Sequence, residues 1–169
     1  DEVFKLGLRD TVPHCRLISI RGLWENEEPA LGEEFMQLLT ADPDNDVRAQ
    51  AASGLGKYVF LGEMEEIQET LYEKIKSLLV ETVSGSQPEA IRRRALEAAG
   101  FATDKRVSAL IEEAYNKNKE DWLISAMVAM GRSANTQWVP QIIENLPHES
   151  SQIRLEAAQA AGLLAAQET

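Results

Sequence analysis

A ten-residue pattern occurs five times along this chain, and recurrence at intervals of about thirty residues commits a chain to a repeat architecture. The frames span residues 15–24, 47–56, 91–100, 122–131 and 153–162, so their starts lie 32, 44, 31 and 31 residues apart. The second reads Val47-Arg48-Ala49-Gln50-Ala51-Ala52-Ser53-Gly54-Leu55-Gly56. An apolar residue opens each frame, and Arg follows in four of five as Arg16, Arg48, Arg92 and Arg154. A small residue stands fifth in all five, and Gly closes four as Gly56, Gly100, Gly131 and Gly162. Small residues in mid-helix let neighbouring helices approach closely. A terminal Gly suits the left-handed residue that ends a helix, so each frame predicts one helix stopping at its tenth position.

Turn and capping residues precede the frames: Asp42-Pro43-Asp44-Asn45-Asp46, Ser86-Gln87-Pro88-Glu89 and Glu149-Ser150-Ser151. Between frames, apolar residues recur at helical spacing in Leu31, Phe35, Met36, Leu38 and Leu39, in Val107, Leu110, Ile111 and Ala114, and in Trp138, Val139, Ile142, Ile143 and Leu146. Each repeat therefore reads as helix, turn, framed helix, turn. The 44-residue interval predicts one longer helix over 63–83, with Met64, Ile67, Leu71, Ile75, Leu78 and Leu79 on one stripe. Glu65, Glu66, Glu69 and Glu73 form its solvated face, and 84–88 the loop after it. No alternating strand pattern of useful length occurs. The expected fold is all-α, an α-α superhelix or solenoid of about five helical pairs. One domain fills 1–169, in repeats of roughly 1–25, 26–58, 59–101, 102–132 and 133–166. The segments at both ends, 2–8 and 162–166, suit neighbours rather than polar caps, so an internal segment of a longer array is expected.

The Val-Arg-x-x-Ala-Ala-x-x-Leu-Gly frame resembles the short HEAT-like repeats of phycobilisome lyase subunits, over nearly the whole chain. The resemblance implies that framed helices line a concave side and alternate helices a convex one. It also implies that Arg16, Arg48, Arg92 and Arg154 tie adjacent repeats together and so are structural, as are Gly56, Gly100, Gly131 and Gly162. It is specific for fold and says little about function.

Composition narrows the function classes. Hydrophobic residues make up 44% and aromatics 6%, much of the apolar content being Ala and Leu, which suits close-packed helices. A formal charge of −11 disfavours phosphate backbones and anionic membranes, so neither nucleic acid nor membrane is an expected partner. Its other effects are solubility and attraction of a basic partner. Cys15 is the one cysteine, so no internal disulfide forms and a reducing, cytoplasmic compartment fits. No stretch approaches the length of a membrane helix, and the start Asp1-Glu2-Val3-Phe4 lacks the pattern of a signal peptide.

Catalytic relatives of such repeats supply tests. Deoxyhypusine hydroxylase places His-Glu pairs where this chain has Ala49-Gln50, Arg93-Arg94, Ile124-Ser125 and Leu155-Glu156, with no His among them. His14 and His148 stand in turns far apart in the array, and His14-Cys15 lacks a third ligand. Cys15, as a frame opener, is expected in the core. HEAT-like DNA glycosylases need a basic groove with aromatics, whereas Trp24, Trp122 and Trp138 read here as core or inter-repeat packing. Nothing singles out a tetrapyrrole site, and no phosphate loop or nucleophile elbow is present. No cofactor or metal is expected.

Helix geometry identifies the surface that remains. With positions one, five, eight and nine facing the core, positions three and seven point away from it. They present Leu17, Arg21, Arg93, Glu97, Ile124, Val128, Leu155 and Gln159, with Arg94 beside them. The concave face is expected to carry an apolar patch from Ile124, Val128 and Leu155 next to a basic spot at Arg93 and Arg94. An apolar patch rimmed by charge suits a protein or peptide partner. The expected function is a non-catalytic interaction scaffold. The alternative is an accessory or lyase-like subunit of an enzyme that handles a chromophore or protein substrate.

Overall fold

A computed structural model describes residues 1–117 and 119–165. The helices are α1 (Glu2–Gly7), α2 (Pro13–Gly22), α3 (Pro29–Ala41), α4 (Asn45–Glu63), α5 (Glu69–Ser84), α6 (Glu89–Ala99), α7 (Lys105–Tyr115), α8 (Glu120–Arg132), α9 (Val139–Asn145) and α10 (Ser151–Ala165), with a 3-10 turn at Thr136–Trp138. The described residues contain no strand. No described helix is long and apolar enough to cross a membrane. The ten helices form five pairs, as the repeat pattern requires. The framed helices α2, α4, α6, α8 and α10 stack directly on one another, while the outer helices pack less closely, α7 and α9 meeting through Tyr115, which donates to Glu144 Oε2 at 3.0 Å and accepts from Asn145 Nδ2 at 3.1 Å. Tighter packing along the framed row makes it the inner row of the array.

The frame explains this packing. Its openers Val47, Ile91, Trp122 and Ile153 are buried, as are the fifth-position alanines Ala51, Ala95, Ala126 and Ala157. Each fully buried branched residue of this kind, such as Val47 or Ile91, contributes about 1.5–3 kcal/mol. The outer helices close the core with Phe35 and Leu39, Ile75 and Leu79, Val107 and Ile111, and Ile142. Pro13 and Pro29 begin α2 and α3, where a missing N–H costs nothing. Asp44 Oδ1 caps α4, accepting from the backbone N–H of Asp46 at 2.9 Å and of Val47 at 3.0 Å. The residue before α6 is Pro88, which makes no side-chain cap.

The frame glycines do not end helices through a left-handed residue. No glycine has positive φ, and Gly56, Gly131 and Gly162 lie inside α4, α8 and α10. Their shared property is proximity to the next framed helix. A Cβ at Gly56 would lie 3.2 Å from Ala98 Cα, at Gly100 2.7 Å from Ala129 Cα, and at Gly131 2.7 Å from Ala160 Cα. In each case position ten of one frame meets position eight of the next, backbone against backbone. Gly162 has nothing within 4 Å. The left-handed residues that do terminate helices are Glu65 at φ 60° after α4 and Ala134 at φ 56° after α8.

Three further expectations are corrected. The single helix over 63–83 is two: Glu66 N–H donates to Leu61 O at 2.8 Å and Glu65 N–H to Gly62 O at 3.1 Å, the paired bonds that close a helix end. Helix α4 therefore runs five residues past the expected boundary at 58, and α5 starts at Glu69. Cys15 is exposed, because the six-residue α1 covers α2 near Ser19 and Gly22 and leaves the start of α2 in solvent. Trp24 is also exposed, whereas Trp122 and Trp138 are buried. Of the repeat expected over 133–166, residue 166 lies outside the described residues.

The frame arginines make a recurring set of bonds. Arg48 Nε donates to Leu39 O at 2.9 Å and Arg92 Nε to Val83 O at 2.8 Å, each satisfying a carbonyl near the end of the outer helix of its own pair. Arg16 Nη1 reaches Asp10 O at 2.8 Å, and Arg154 Nη1 reaches His148 O at 2.7 Å and Glu149 O at 2.8 Å. Arg16, Arg48 and Arg92 also contact the following repeat. Arg16 forms a two-bond pair with Asp42 at 2.7 and 2.8 Å, the side chains being 9% and 3% exposed. Arg48 donates to Gln87, and the Arg92 guanidinium lies 5.4 Å from the Trp122 ring centre. Burial raises the Asp42 carboxyl's pKa, but the bonds from Arg16 and the Asp44 N–H outweigh it and hold it below the usual carboxylate range.

Candidate functional site

On the framed row, α6, α8 and α10 border an open groove of about 270 Å³. Its lining includes Arg94 and Glu97 from α6, Val128 and Arg132 from α8, and Gln159 and Leu163 from α10. Four expected partner-facing residues, Arg94, Glu97, Val128 and Gln159, thus meet in one place. The others are spread around it. Ile124 is half-buried and Leu155 half-exposed, on the same two helices toward their N-termini. Arg93 is tied to Asp121 at 3.3 Å. Two repeats away, Arg21 is exposed and donates to Gln50 Oε1 at 2.9 Å, and Leu17 packs partly against the core.

Glu97 is not a surface group. It is only 5% exposed, accepts from Ser125 Oγ at 2.7 Å and from Arg94 Nη1 at 2.6 Å, and so belongs to the groove's floor. The bond runs from position four of one frame to position seven of the preceding one, the same step that joins Gln50 to Arg21. A buried carboxylate held by two donors orients Arg94, which would otherwise sample many rotamers. Arg132 completes the wall. Its Nη1 donates to Glu97 O at 2.8 Å and its guanidinium lies 4.9 Å from the Phe101 ring centre. Burial lowers its pKa, with the nearby Glu97 charge opposing.

Arg132, Glu156 and Leu163 were not expected here. Arg132 and Leu163 stand at position eleven of their frames, one turn beyond position seven and on the same face. Reading the tenth-position Gly as a stop removes that turn from view, while the helices continue through it. The groove offers guanidinium donors at Arg94 and Arg132, acceptors at Glu156 and Gln159, and apolar surface at Val128 and Leu163. Among the described residues no three His, Cys, Asp or Glu side chains come together as a metal ligand set. The five framed helices carry nine basic and seven acidic residues in a chain of net charge −11, so the excess of acid lies elsewhere.

The profile of a family described as HEAT repeats matches residues 32–131. No curated protein matches the chain significantly. Among the solved structures that resemble it in fold are two that align over nearly all of this chain. One is the crystal structure of an engineered protein, 19% identical with a TM-score of 0.56, covering 98% of this chain and 80% of that one. The other is a designed armadillo repeat protein in complex with the peptide (KR)4, 15% identical with a TM-score of 0.51, covering 96% and 80%.

Proposed function

This chain belongs to the HEAT repeat family, and from that premise we propose that it is a non-catalytic scaffold that holds a polypeptide along its concave groove. The observation that carries the reading is the gathering of Arg94, Val128 and Gln159 with Arg132 and Leu163 around one cleft between three repeats. Fixed donors beside apolar side chains are the recognition chemistry of a polypeptide, which offers carbonyls, carboxylates and apolar side chains together. The peptide bound to the designed armadillo relative supports a polypeptide as the class of partner. Leu155 and Ile124 extend the contact toward one edge, and Arg93, Arg21 and Leu17 continue it along the inner row. The frame arginines and glycines are assigned to the scaffold. Within the family, the frame supports the short repeat of phycobilisome-lyase type.

Site-specific photocrosslinking tests this. A photoreactive residue replaces Gln159 or Leu155 on the inner row, or Leu110 on the outer row, and the protein is irradiated in lysate of its source organism. Adducts to one polypeptide from the inner positions, lost on adding Val128→Glu, are expected. Adducts from position 110 alone, or inner adducts unchanged by Val128→Glu, would overturn the reading. A coloured adduct would move it to a lyase-like accessory subunit.

A further inference from the structure

Helix α4 continues for 17 residues from its frame opener, against nine in α6 and eleven in α8. At 1.5 Å per residue its end projects roughly 10 Å beyond its neighbours. Lys57, Phe60 and Met64 lie along one stripe of that projection. Lys57 Nζ binds Trp24 O at 2.7 Å and also Asn26 O, which fixes the 23–28 loop against the same stripe. Three large apolar side chains along this edge stand in solvent: Trp24 is 56% exposed, Phe60 47% and Met64 56%. Phe60 is held from beneath by Phe101, edge to face with ring centres 5.7 Å apart. A rigid exposed patch of this kind is the surface anatomy of a binding hot spot.

Charge identifies the occupant. The four loops that lead from a framed helix to the next outer helix hold six acidic residues and no basic one. Five of the six, Glu25, Glu27, Glu28, Glu65 and Glu66, flank Trp24 and Met64. Glu28 is paired with Lys5 at 2.7 Å, but Glu25, Glu27, Glu65 and Glu66 have no salt-bridge partner among the described residues. Beside Met64 opens a cleft of about 450 Å³ lined by Glu63, Glu65, Glu69, Ile67 and Tyr72, with no basic residue in its wall. Glu63 is committed there, accepting from the Thr103 N–H at 2.9 Å and from Tyr72. Glu65 and Glu69 remain for a ligand.

We propose that this edge, at the first two repeat junctions, docks a basic peptide segment: an apolar side chain seats on Trp24, Phe60 and Met64, and flanking Lys or Arg residues meet the glutamates. The surface adjoins the groove at Phe101, whose ring packs on Phe60 at 5.7 Å and lies 4.9 Å from the Arg132 guanidinium, but it differs from the groove in carrying glutamates that are unpaired among the described residues.

The test uses fluorescein-labelled ten-residue peptides, each with a central Leu, flanked by Lys and Arg, by Glu, or by Ser. Binding is read by fluorescence anisotropy at about 50 and about 500 mM salt, where screening separates charge from apolar contact. The basic peptide is expected to bind, to weaken with salt, and to lose about tenfold or more in affinity with the Trp24→Ala, Met64→Ala variant. Glu65→Gln with Glu66→Gln should weaken it comparably. Glu112→Gln with Glu113→Gln, the same charge change on α7, should not. Thermal melts by circular dichroism establish that each variant is folded. Absence of binding by the wild type, equal binding of the Ser peptide, or equal loss from the α7 variant overturns the proposal. The Ser peptide result would point instead to an apolar partner or a second copy, and the α7 result to nonspecific attraction by net charge.

Discussion

The contacts between frame positions ten and eight predict a graded response to one repeated substitution, Gly→Ala. An ordinary carbon contact is about 3.5–4.0 Å. At Gly131 the added Cβ would sit 2.7 Å from Ala160 Cα and 3.0 Å from its Cβ, and at Gly100 2.7 Å from Ala129 Cα and 2.9 Å from its carbonyl oxygen. No flexible side chain stands there to yield, so two helices must part by roughly 1 Å. Overpacking of this kind costs about 1–3 kcal/mol. Against it stands the gain of about 1 kcal/mol from replacing Gly by Ala in a helix. At Gly56 the nearest atoms lie at 3.2 and 3.4 Å, so a small adjustment suffices and the two effects nearly cancel. At Gly162 nothing opposes the gain. Gly162→Ala should therefore stabilise, Gly56→Ala should change little, and Gly100→Ala and Gly131→Ala should each lose up to about 2 kcal/mol. Between Gly162→Ala and Gly131→Ala the melting temperature should differ by roughly 2–12 °C. Urea and thermal unfolding followed by circular dichroism measure it. Equal destabilisation by Gly131→Ala and Gly162→Ala would refute the close-approach argument, since both residues lie inside helices and differ in what faces them.

Asp42 has a folded-state pKa below its unfolded value of about 3.9, so its contribution is present above that pH and is lost as pH falls through the folded pKa. The stability difference between wild type and Asp42→Asn in urea titrations should therefore be constant from about pH 5 to 8 and shrink below about pH 4; a difference independent of pH would remove Arg16–Asp42 as its source. Ser125→Ala leaves the buried Glu97 carboxylate one donor short and should cost about 1–3 kcal/mol in urea unfolding; a loss under about 0.5 kcal/mol would show that the bond contributes little. Ala134→Gly relieves a left-handed residue and should stabilise by about 1 kcal/mol, read as a higher urea midpoint at unchanged slope. A lower midpoint would mean that the turn after α8 is not strained.

The five frames carry the fold because every feature in them is local: apolar openers, fifth-position small residues and alternating outer helices predict α3, α7 and the framed helices without tertiary information. What sequence reading loses depends on neighbours. A Gly after an apolar run fits both a helix stop and a close crossing, and only the Ala of the next frame decides between them. That misreading also hid Arg132 and Leu163, one turn further on. Glu65 carries ordinary helix propensity, so the left-handed turn that divides α4 from α5 has no sequence signal. Cys15 and Trp24 occupy frame positions like those of buried residues elsewhere, but burial belongs to the pair of helices that meet, and α1 does not reach them. Glu97 was assigned to the surface by helix phase alone, while its partner Ser125 comes from 28 residues away.

The unequal packing of the two rows has a mechanical consequence. Along the inner row, backbone bears on backbone at Ala98, Ala129 and Ala160. Along the outer row the backbones stand further apart, and α7 and α9 meet through side chains, Tyr115 with Glu144 and Asn145. The array is therefore stiff against compression on its inside and compliant on its outside, like a strip hinged along one edge. Bending changes its curvature by spreading the outer helices while inner spacing stays fixed. The groove between α6 and α10 keeps its period along the inner row as the whole strip flexes, so a ligand seated there would meet the same register at every curvature.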